Sequence, residues 1–239
     1  MFLVLALVGT PFVYDGKLAA GGTLAVRDIN GSVRVRAGDR LLIRATKTAE
    51  RGDPNAVAIH VEQTAKRGLV VCVRYPPNAG DGCRARTGHD SNDNDTKVDF
   101  DVTLPRGVAL DAGTVNGSID AQTNGTVDAS TVNGRIHVEG REAHTLTTVN
   151  GSIELRLLDR PSGSLKANTV NGSITISLPP GSGVDVQAHT MTGGIDAAGL
   201  TVDRPQYGPG ATARGTLGDG TARLSLSTVN GSIALHGPS

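Results

Sequence analysis

The sequence predicts an all-β protein, a single-stranded parallel β-helix or β-solenoid with irregular coils towards its N-terminus. Three observations lead to this prediction: a hexapeptide, TVNGSI, recurs along the chain; the residues after it alternate between apolar and polar; and the composition is that of short strands and tight turns. The 239 residues include 32 Gly but no Trp and only three Phe and three Tyr. Such usage is unlike that of an α/β enzyme with long helices.

The repeated hexapeptide is predicted to form one corner of each structural unit. Four identical copies and two variants, TVNGRI and TMTGGI, place Asn, or Thr in the second variant, at positions 116, 133, 150, 171, 192 and 230. Residues 203–220 are rich in Gly and Pro and are interpreted as an insertion loop before the last copy. A related corner stands nearer the N-terminus. The predicted structural corners are Asn30-Gly31, Asn116-Gly117, Asn133-Gly134, Asn150-Gly151, Asn171-Gly172 and Asn230-Gly231.

Apolar residues recur at fixed distances after each corner. Isoleucine stands three residues after the Asn or Thr, an apolar residue follows two positions later, and the residue between them is mostly polar. This alternation indicates strands with one buried face. Isoleucines 17 or 21 residues apart should then stack about 4.8 Å from one another. The predicted core ladder is Ile119, Ile136, Ile153, Ile174, Ile195 and Ile233. Matching columns precede the corners, and His144 interrupts one of them.

An antiparallel meander is the competing fold, because Asn-Gly is also the strongest two-residue hairpin signal. A meander would need a second turn of equal quality in every unit, whereas the other connections vary in length and composition. A coil explains why a single corner is constant. Stacked Asn side chains could hydrogen-bond along the column, and Gly would supply the backbone angles that the corner requires.

Residues 12–239 are predicted to form a single domain, with irregular coils over residues 12–105 and regular units over residues 106–239. A separate small β domain in the first hundred residues is the alternative. Residues 2–8 resemble the apolar core of a signal peptide, although no Lys or Arg precedes them. Residues 1–11 are therefore interpreted as a signal-peptide remnant, and a first β-strand is the alternative.

Cys72 and Cys83 flank a segment rich in Pro, Gly and Asn, so their sulfurs could meet in a disulfide. A disulfide would fit an exported protein in the periplasm, at the cell surface or outside the cell, and two unpaired thiols are the alternative. The balance of 23 basic and 23 acidic residues predicts no nucleic-acid partner. No apolar run approaches the roughly 20 residues of a transmembrane span.

Asp120, His137 and Glu154 occupy equivalent outward positions in three successive units. Two carboxylates about 10 Å apart could in principle act on a polysaccharide or hold a metal, but a solvated polar column is the interpretation we favour. The acidic residues 90–101 are spaced somewhat like a calcium loop, yet Asp95 stands where that loop has Gly and Asp101 where it has Glu. We therefore predict no catalytic residue, no metal and no cofactor.

The repeated hexapeptide and the pattern G-x-L-x-V-x-x-x-N-G-x-V at residues 22–33 resemble the bacterial putative-adhesin family of secreted domains of unknown function. The resemblance covers residues 12–239. It implies a β-helix-like fold, export and a role at the cell surface, and it supplies no catalytic residues. The predicted function is a non-enzymatic exported β-solenoid with a structural or adhesive role towards an unknown surface partner, protein or glycan. A polysaccharide-active enzyme and a ligand-free envelope scaffold are the alternatives.

Overall fold

The computed structural model describes residues 7–64, 68–83, 94–206 and 208–237 and is all-β, with a mixed sheet. Only two short 3₁₀ helices, Pro54–Ala56 and Asn78–Gly80, occur among these residues. No helix in the described ranges is long and apolar enough to cross a membrane. The strands are β1 (Leu7–Val8), β2 (Phe12–Gly16), β3 (Thr23–Arg27), β4 (Val33–Gly38), β5 (Leu41–Ala49), β6 (Ala58–Thr64), β7 (Gly68–Arg74), β8 (Lys97–Pro105), β9 (Ala109–Gly113), β10 (Ile119–Ser130), β11 (Ile136–Thr147), β12 (Ile153–Leu157), β13 (Ser164–Asn171), β14 (Ile174–Ser177), β15 (Val184–Thr192), β16 (Ile195–Ala197), β17 (Thr201–Asp203), β18 (Ala211–Leu217), β19 (Ala222–Asn230) and β20 (Ile233–His236).

The strands that follow the corners pair in parallel and in register. Ile119 on β10 stands between Val33 on β4 and Ile136 on β11, and the column continues across β12, β14, β20 and β16. All six isoleucines of this column are at most 4% exposed. The inward column read from the sequence is therefore a continuous buried ridge.

The strands that precede the corners form a second parallel ladder, in the order β3, β9, β10, β11, β13, β19 and β15. β10 and β11 contribute to both ladders, because each runs for 12 residues from one to the other. The 20 strands consequently form one continuous sheet. Apolar side chains from both ladders belong to a single core cluster.

A β-bulge resolves the interruption at His144. Val127 on β10 pairs with Ala143, but the next residue, Asp128, pairs with Thr145, so one residue of β11 is left out of the pairing. Ala143 is buried and His144 is exposed. Ala143 thus fills the apolar column at the position the sequence assigned to His144.

The last copy of the repeat does not follow the preceding copy in the stack. β20 pairs with both β14 and β16, and β19 pairs with both β13 and β15. The Asn230 corner consequently lies between the Asn171 and Thr192 corners. The expectation that Ile174 and Ile195, 21 residues apart, are neighbours is wrong, because Ile233 separates them.

Antiparallel pairs at both ends of the stack correct the expectation of a wholly parallel, single-stranded β-helix. At one end β1 and β2 pair with β5, β5 pairs with β8, and β6 pairs with β7. At the other end β18 pairs with β15 and β17 pairs with β18. The segment 203–220, expected to be a loop, therefore supplies the seven-residue strand β18. Antiparallel strands cover edges of the parallel core that would otherwise be free to pair with other chains.

The N-terminal half is paired directly with the repeats. β3 pairs with β9, and β4 pairs with β10. Of the predicted signal remnant, residues 1–6 lie outside the described residues, whereas Leu7–Val8 form β1 against the end of β5. In the described ranges, strand pairing is therefore continuous between residues 12–105 and residues 106–239.

Candidate functional site

The asparagine side chains of six corners form one hydrogen-bonded ladder. The Nδ2 group of each donates to Oδ1 of the preceding Asn in the stack, at 2.8 Å for the first four bonds and 2.9 Å for the last. The ladder runs in the order Asn30, Asn116, Asn133, Asn150, Asn171 and Asn230. Thr192 occupies the next position beyond Asn230, and the ladder begins at Asn30 at the other end.

In every corner after the first, the threonine two residues before the Asn, or before Thr192 in the last corner of the stack, points inward and joins neighbouring corners. Its Oγ1 donates to the carbonyl oxygen of the glycine in the adjacent corner, at 2.8 to 3.1 Å. These threonines are at most 6% exposed, so they bind the stack together and are not part of its surface. They are Thr114, Thr131, Thr148, Thr169, Thr190 and Thr228.

Glycine is required at the corner because the backbone of the neighbouring corner occupies the space of a side chain. A Cβ atom on Gly134 would lie 1.9 Å from the carbonyl oxygen of Gly117, and one on Gly151 would lie 1.9 Å from that of Gly134. Neither Gly134 nor Gly151 has φ in the left-handed region. The expectation that Gly supplies special backbone angles is therefore wrong at these two corners, where close approach is the reason.

An exposed apolar column runs beside the Asn ladder. The residue between Thr and Asn points outward, and Val115, Val132, Val149 and Val170 are 36 to 39% exposed, with Met191 at 56%. On the other side of the ladder the residue after Gly is Ser in five of the seven corners. We call these three columns over the seven corners the corner strip. Arg135 is its only charged residue, and its length is about 29 Å.

The polar residues Asp120, His137 and Glu154 belong to a longer column of alternating charge. The strand register places Arg44 beside Asp101, Asp101 beside Arg34, and Arg34 beside Asp120. The order of basic and acidic groups then continues through the three predicted residues, which are neighbours in register. Such cross-strand alternation of charge stabilises a sheet face, which favours the structural interpretation of these side chains.

Within that column His137 and Glu154 come close without forming a hydrogen bond. His137 Nδ1 lies 3.3 Å from Glu154 Oε2, yet the nitrogen is buried and not aligned with any acceptor. The contact is therefore one of proximity alone. In the part of the chain that the structure describes, no group of three His, Cys, Asp or Glu side chains is placed to hold a metal ion.

Cys72 on β7 and Cys83 in the following segment are joined in a disulfide, with Cα atoms 5.5 Å apart. The bond holds the loop after β7 against its own strand. In the acidic segment 90–101, residues 90–93 lie outside the described residues. The Asp95 carboxylate accepts hydrogen bonds from the backbone N–H groups of Arg51 and Glu50, both at 2.9 Å, and these bonds lower its pKa. Asp95 is therefore engaged in holding a neighbouring turn.

The first corner contains a group that the sequence reasoning missed. Asp28 stands two residues before Asn30, where every other corner has Thr, and it is only 6% exposed. Its Oδ1 accepts from the backbone N–H of Ile29 at 2.8 Å, whereas its Oδ2 is buried without a partner. Burial, aided by the nearby Asp99 carboxylate, raises the pKa of Asp28 to about 7. The departure from Thr at this one position is the signal that could have identified it.

Replacing Asn150 by Asp should lower the free energy of unfolding by about 1 to 2 kcal/mol. The carboxylate cannot donate to Asn133 Oδ1, so two acceptor oxygens would face each other in the ladder. Urea unfolding measures the loss. The matched control is Asn124→Asp, the same change at the irregular middle of β10 and outside the ladder, which should alter stability by less than about 0.5 kcal/mol. Equal losses in the two variants would contradict a stabilising ladder.

Comparison with known proteins finds similarity only among solved structures. No protein-family model and no curated protein matches the chain. A crystal structure of a putative cell adhesion protein from Clostridium sporogenes is 13% identical and covers 95% of this chain and 99% of its own, with a TM-score of 0.49. A putative adhesin from Bacteroides fragilis is 12% identical and covers 95% of this chain and 97% of its own, with a TM-score of 0.37.

Proposed function

We propose that residues 12–239 form a non-enzymatic, exported β-solenoid whose corner strip binds an extended partner, a protein or a glycan, at the cell surface. The observation that carries the proposal is the unbroken column of seven corners, with a single charged residue, Arg135, on its exposed side. A straight, repetitive and nearly uncharged surface suits a partner that is itself extended and weakly charged.

The rigidity of the strip supports a binding role. Each pair of adjacent Asn corners shares three kinds of hydrogen bond: the Asn side-chain bond, the Thr hydroxyl bond, and a bond from the Gly N–H to the neighbouring backbone carbonyl. At the corner of Gly134 this last bond, to the Asn150 carbonyl, is 3.0 Å long. The last pair, Asn230 and Thr192, has the second and third of these bonds. A surface that is already ordered loses little conformational entropy on binding.

The disulfide between Cys72 and Cys83 supports export from the cytosol. A disulfide such as Cys72–Cys83 persists in oxidising compartments and is rare in the cytosol. We therefore place the protein in the periplasm, at the cell surface or outside the cell.

The double variant Val132→Glu/Val149→Glu tests the corner strip. Both side chains are exposed, so the fold should survive while two carboxylates disrupt an uncharged contact surface. The wild type is first screened for binding to intact cells, glycan arrays and immobilised surface proteins. The double variant should then bind the identified partner at least about tenfold more weakly, a difference of about 1.4 kcal/mol.

Arg34→Gln and Glu154→Gln, on the alternating-charge column, are the controls and should bind like the wild type. Full binding by the double variant would reject the strip as the site, and absence of binding to every surface would favour the ligand-free scaffold. Polysaccharide turnover that is lost in Glu154→Gln would instead establish the enzyme alternative.

A further inference from the structure

Asp28 occupies the position at which the other corners have a hydrogen-bonding threonine. In six corners the equivalent residue is Thr. Its hydroxyl donates to the carbonyl oxygen of the adjacent corner that lies against the glycine of its own corner. For the first corner, the corresponding carbonyl belongs to Val98 at the start of β8. A Cβ on Gly117 would lie 1.7 Å from the Gly31 oxygen, and a Cβ on Gly31 would lie 2.2 Å from the Val98 oxygen. Val98 therefore stacks on the first corner as each corner stacks on the next.

The free oxygen of Asp28 and this carbonyl oxygen border the same space beside Gly31. Asp28 Oδ2 is 2.9 Å from the same point at which a Gly31 Cβ would stand. The oxygen is buried and receives no hydrogen bond, while Oδ1 of the same carboxyl group does. A carbonyl oxygen can only accept, so it can pair with Oδ2 only if that oxygen carries a proton.

The charges around Asp28 also favour the neutral acid. Asp99 on β8 and Tyr75 after β7 are the titratable groups that interact with it. The neighbouring Arg27 directs its guanidinium group to Asp111 on β9. From the next corner the facing group is the Thr114 hydroxyl, which donates to the Gly31 carbonyl. Among the described residues no cation pairs with Asp28.

We infer that Asp28 is a neutral carboxylic acid that donates its proton to the Val98 carbonyl, as threonine does in the other corners, and that its ionisation loosens the β4–β8 end of the stack. The fold thus contains a pH-sensitive contact at its first corner. Ionisation would place a buried carboxylate against a carbonyl oxygen and near the Asp99 carboxylate, an arrangement that low-dielectric surroundings make costly.

The direction of the pH effect follows from the pKa of Asp28, which is about 7 in the folded chain and near 4 when unfolded. The folded state holds this proton more tightly, so its contribution to stability is complete below about pH 4. The contribution is lost as the pH rises through about 7 and does not change further above that value. Within this window the folding equilibrium constant should fall by up to about tenfold for each pH unit.

The experiment compares urea unfolding of the wild type, Asp28→Thr and Asp28→Asn from about pH 5 to about pH 9. Asp28→Thr restores the hydroxyl of the other corners and Asp28→Asn supplies an N–H donor, so both should lack the wild-type fall and be more stable than the wild type at the alkaline end. Parallel profiles for the wild type and both variants would overturn the inference.

A second experiment measures the ionisation of Asp28 directly in the folded wild type and does not depend on the stability of the variants. The ¹³C chemical shift of the Asp28 carboxyl carbon is followed by NMR in the folded wild type, with Asp28→Asn assigning the signal. A titration midpoint near 7 is expected, together with changes in the amide signals of β4 and β8 over the same range. A midpoint near 4, the ordinary value for Asp, would overturn the inference.

Discussion

Ile153→Asp is expected to unfold or shorten the stack, with a loss of more than about 4 kcal/mol in the free energy of unfolding. Ile153 is fully buried between Ile136 and Ile174. A carboxylate at this position would have only apolar side chains above and below it, and burying a charge without a partner is strongly unfavourable. The effect should be large because the residue belongs to the ridge that joins six strands.

Two controls separate the effect of charge from that of the position. Ile153→Val keeps the shape and should cost about 0.5 to 1.5 kcal/mol. Glu154→Gln changes the adjacent outward residue and should have little effect. Circular dichroism during thermal and urea unfolding measures all three variants. Unchanged thermal stability of Ile153→Asp would mean that the strand register described above is wrong.

Gly151→Ala should be nearly as damaging, with an expected loss of about 3 kcal/mol or more. The new methyl group would lie 1.9 Å from the Gly134 carbonyl oxygen and 2.6 Å from its carbon. These are backbone atoms, and the oxygen also accepts the Thr148 hydroxyl hydrogen bond. The neighbouring corner consequently cannot move aside without breaking its own contacts.

Gly194→Ala is the matched control for this substitution. Gly194 also lies in a corner segment, but a Cβ there would meet nothing within 4 Å, and its φ is not in the left-handed region. The change should therefore alter stability by less than about 0.5 kcal/mol. Small and equal effects of Gly151→Ala and Gly194→Ala in urea unfolding would reject close backbone approach as the reason for the repeated glycine.

The inward faces of the strands could be predicted from the sequence because burial leaves a period-two pattern. Ile136 and Val138 flank the outward His137, and each of the other copies repeats that alternation. The same reasoning located the asparagine column, since residues at a constant phase in a stack lie above one another. These predictions depend only on which face of a strand is apolar.

The order of the strands could not be predicted in the same way. Leu165, Val186 and Leu224 are equivalent apolar residues, so any of their strands could pair with either of the others. The pairing of β19 between β13 and β15 is decided by long-range packing and by the connection through β17 and β18. The antiparallel ends of the sheet are likewise absent from the repeat pattern, because that pattern describes only the central strands.

The positions of two single residues, His144 and Asp28, could not be predicted because local structure decides them. The bulge that exposes His144 shifts the register by one residue. Alanine is common at both buried and exposed positions, so Ala143 did not mark the shift in the sequence. Asp28 interrupts a column of threonines, and a charged residue in a pattern is ordinarily taken to be solvent-exposed. Only its burial and the adjacent Val98 carbonyl indicate that it replaces a hydroxyl group.

Pulsed electron paramagnetic resonance can measure the order in which the seven corners stack, with the last copy inserted before the Thr192 corner. Spin labels are placed on outward positions of the corner strip, at Val115 with the half-buried Val229 and at Val115 with Met191. Four strand spacings should separate the first pair and five the second, or about 19 and about 24 Å. We expect the Val115–Met191 distance to be the longer by about one strand spacing. A longer Val115–Val229 distance, as stacking in chain order would give, would contradict this expectation.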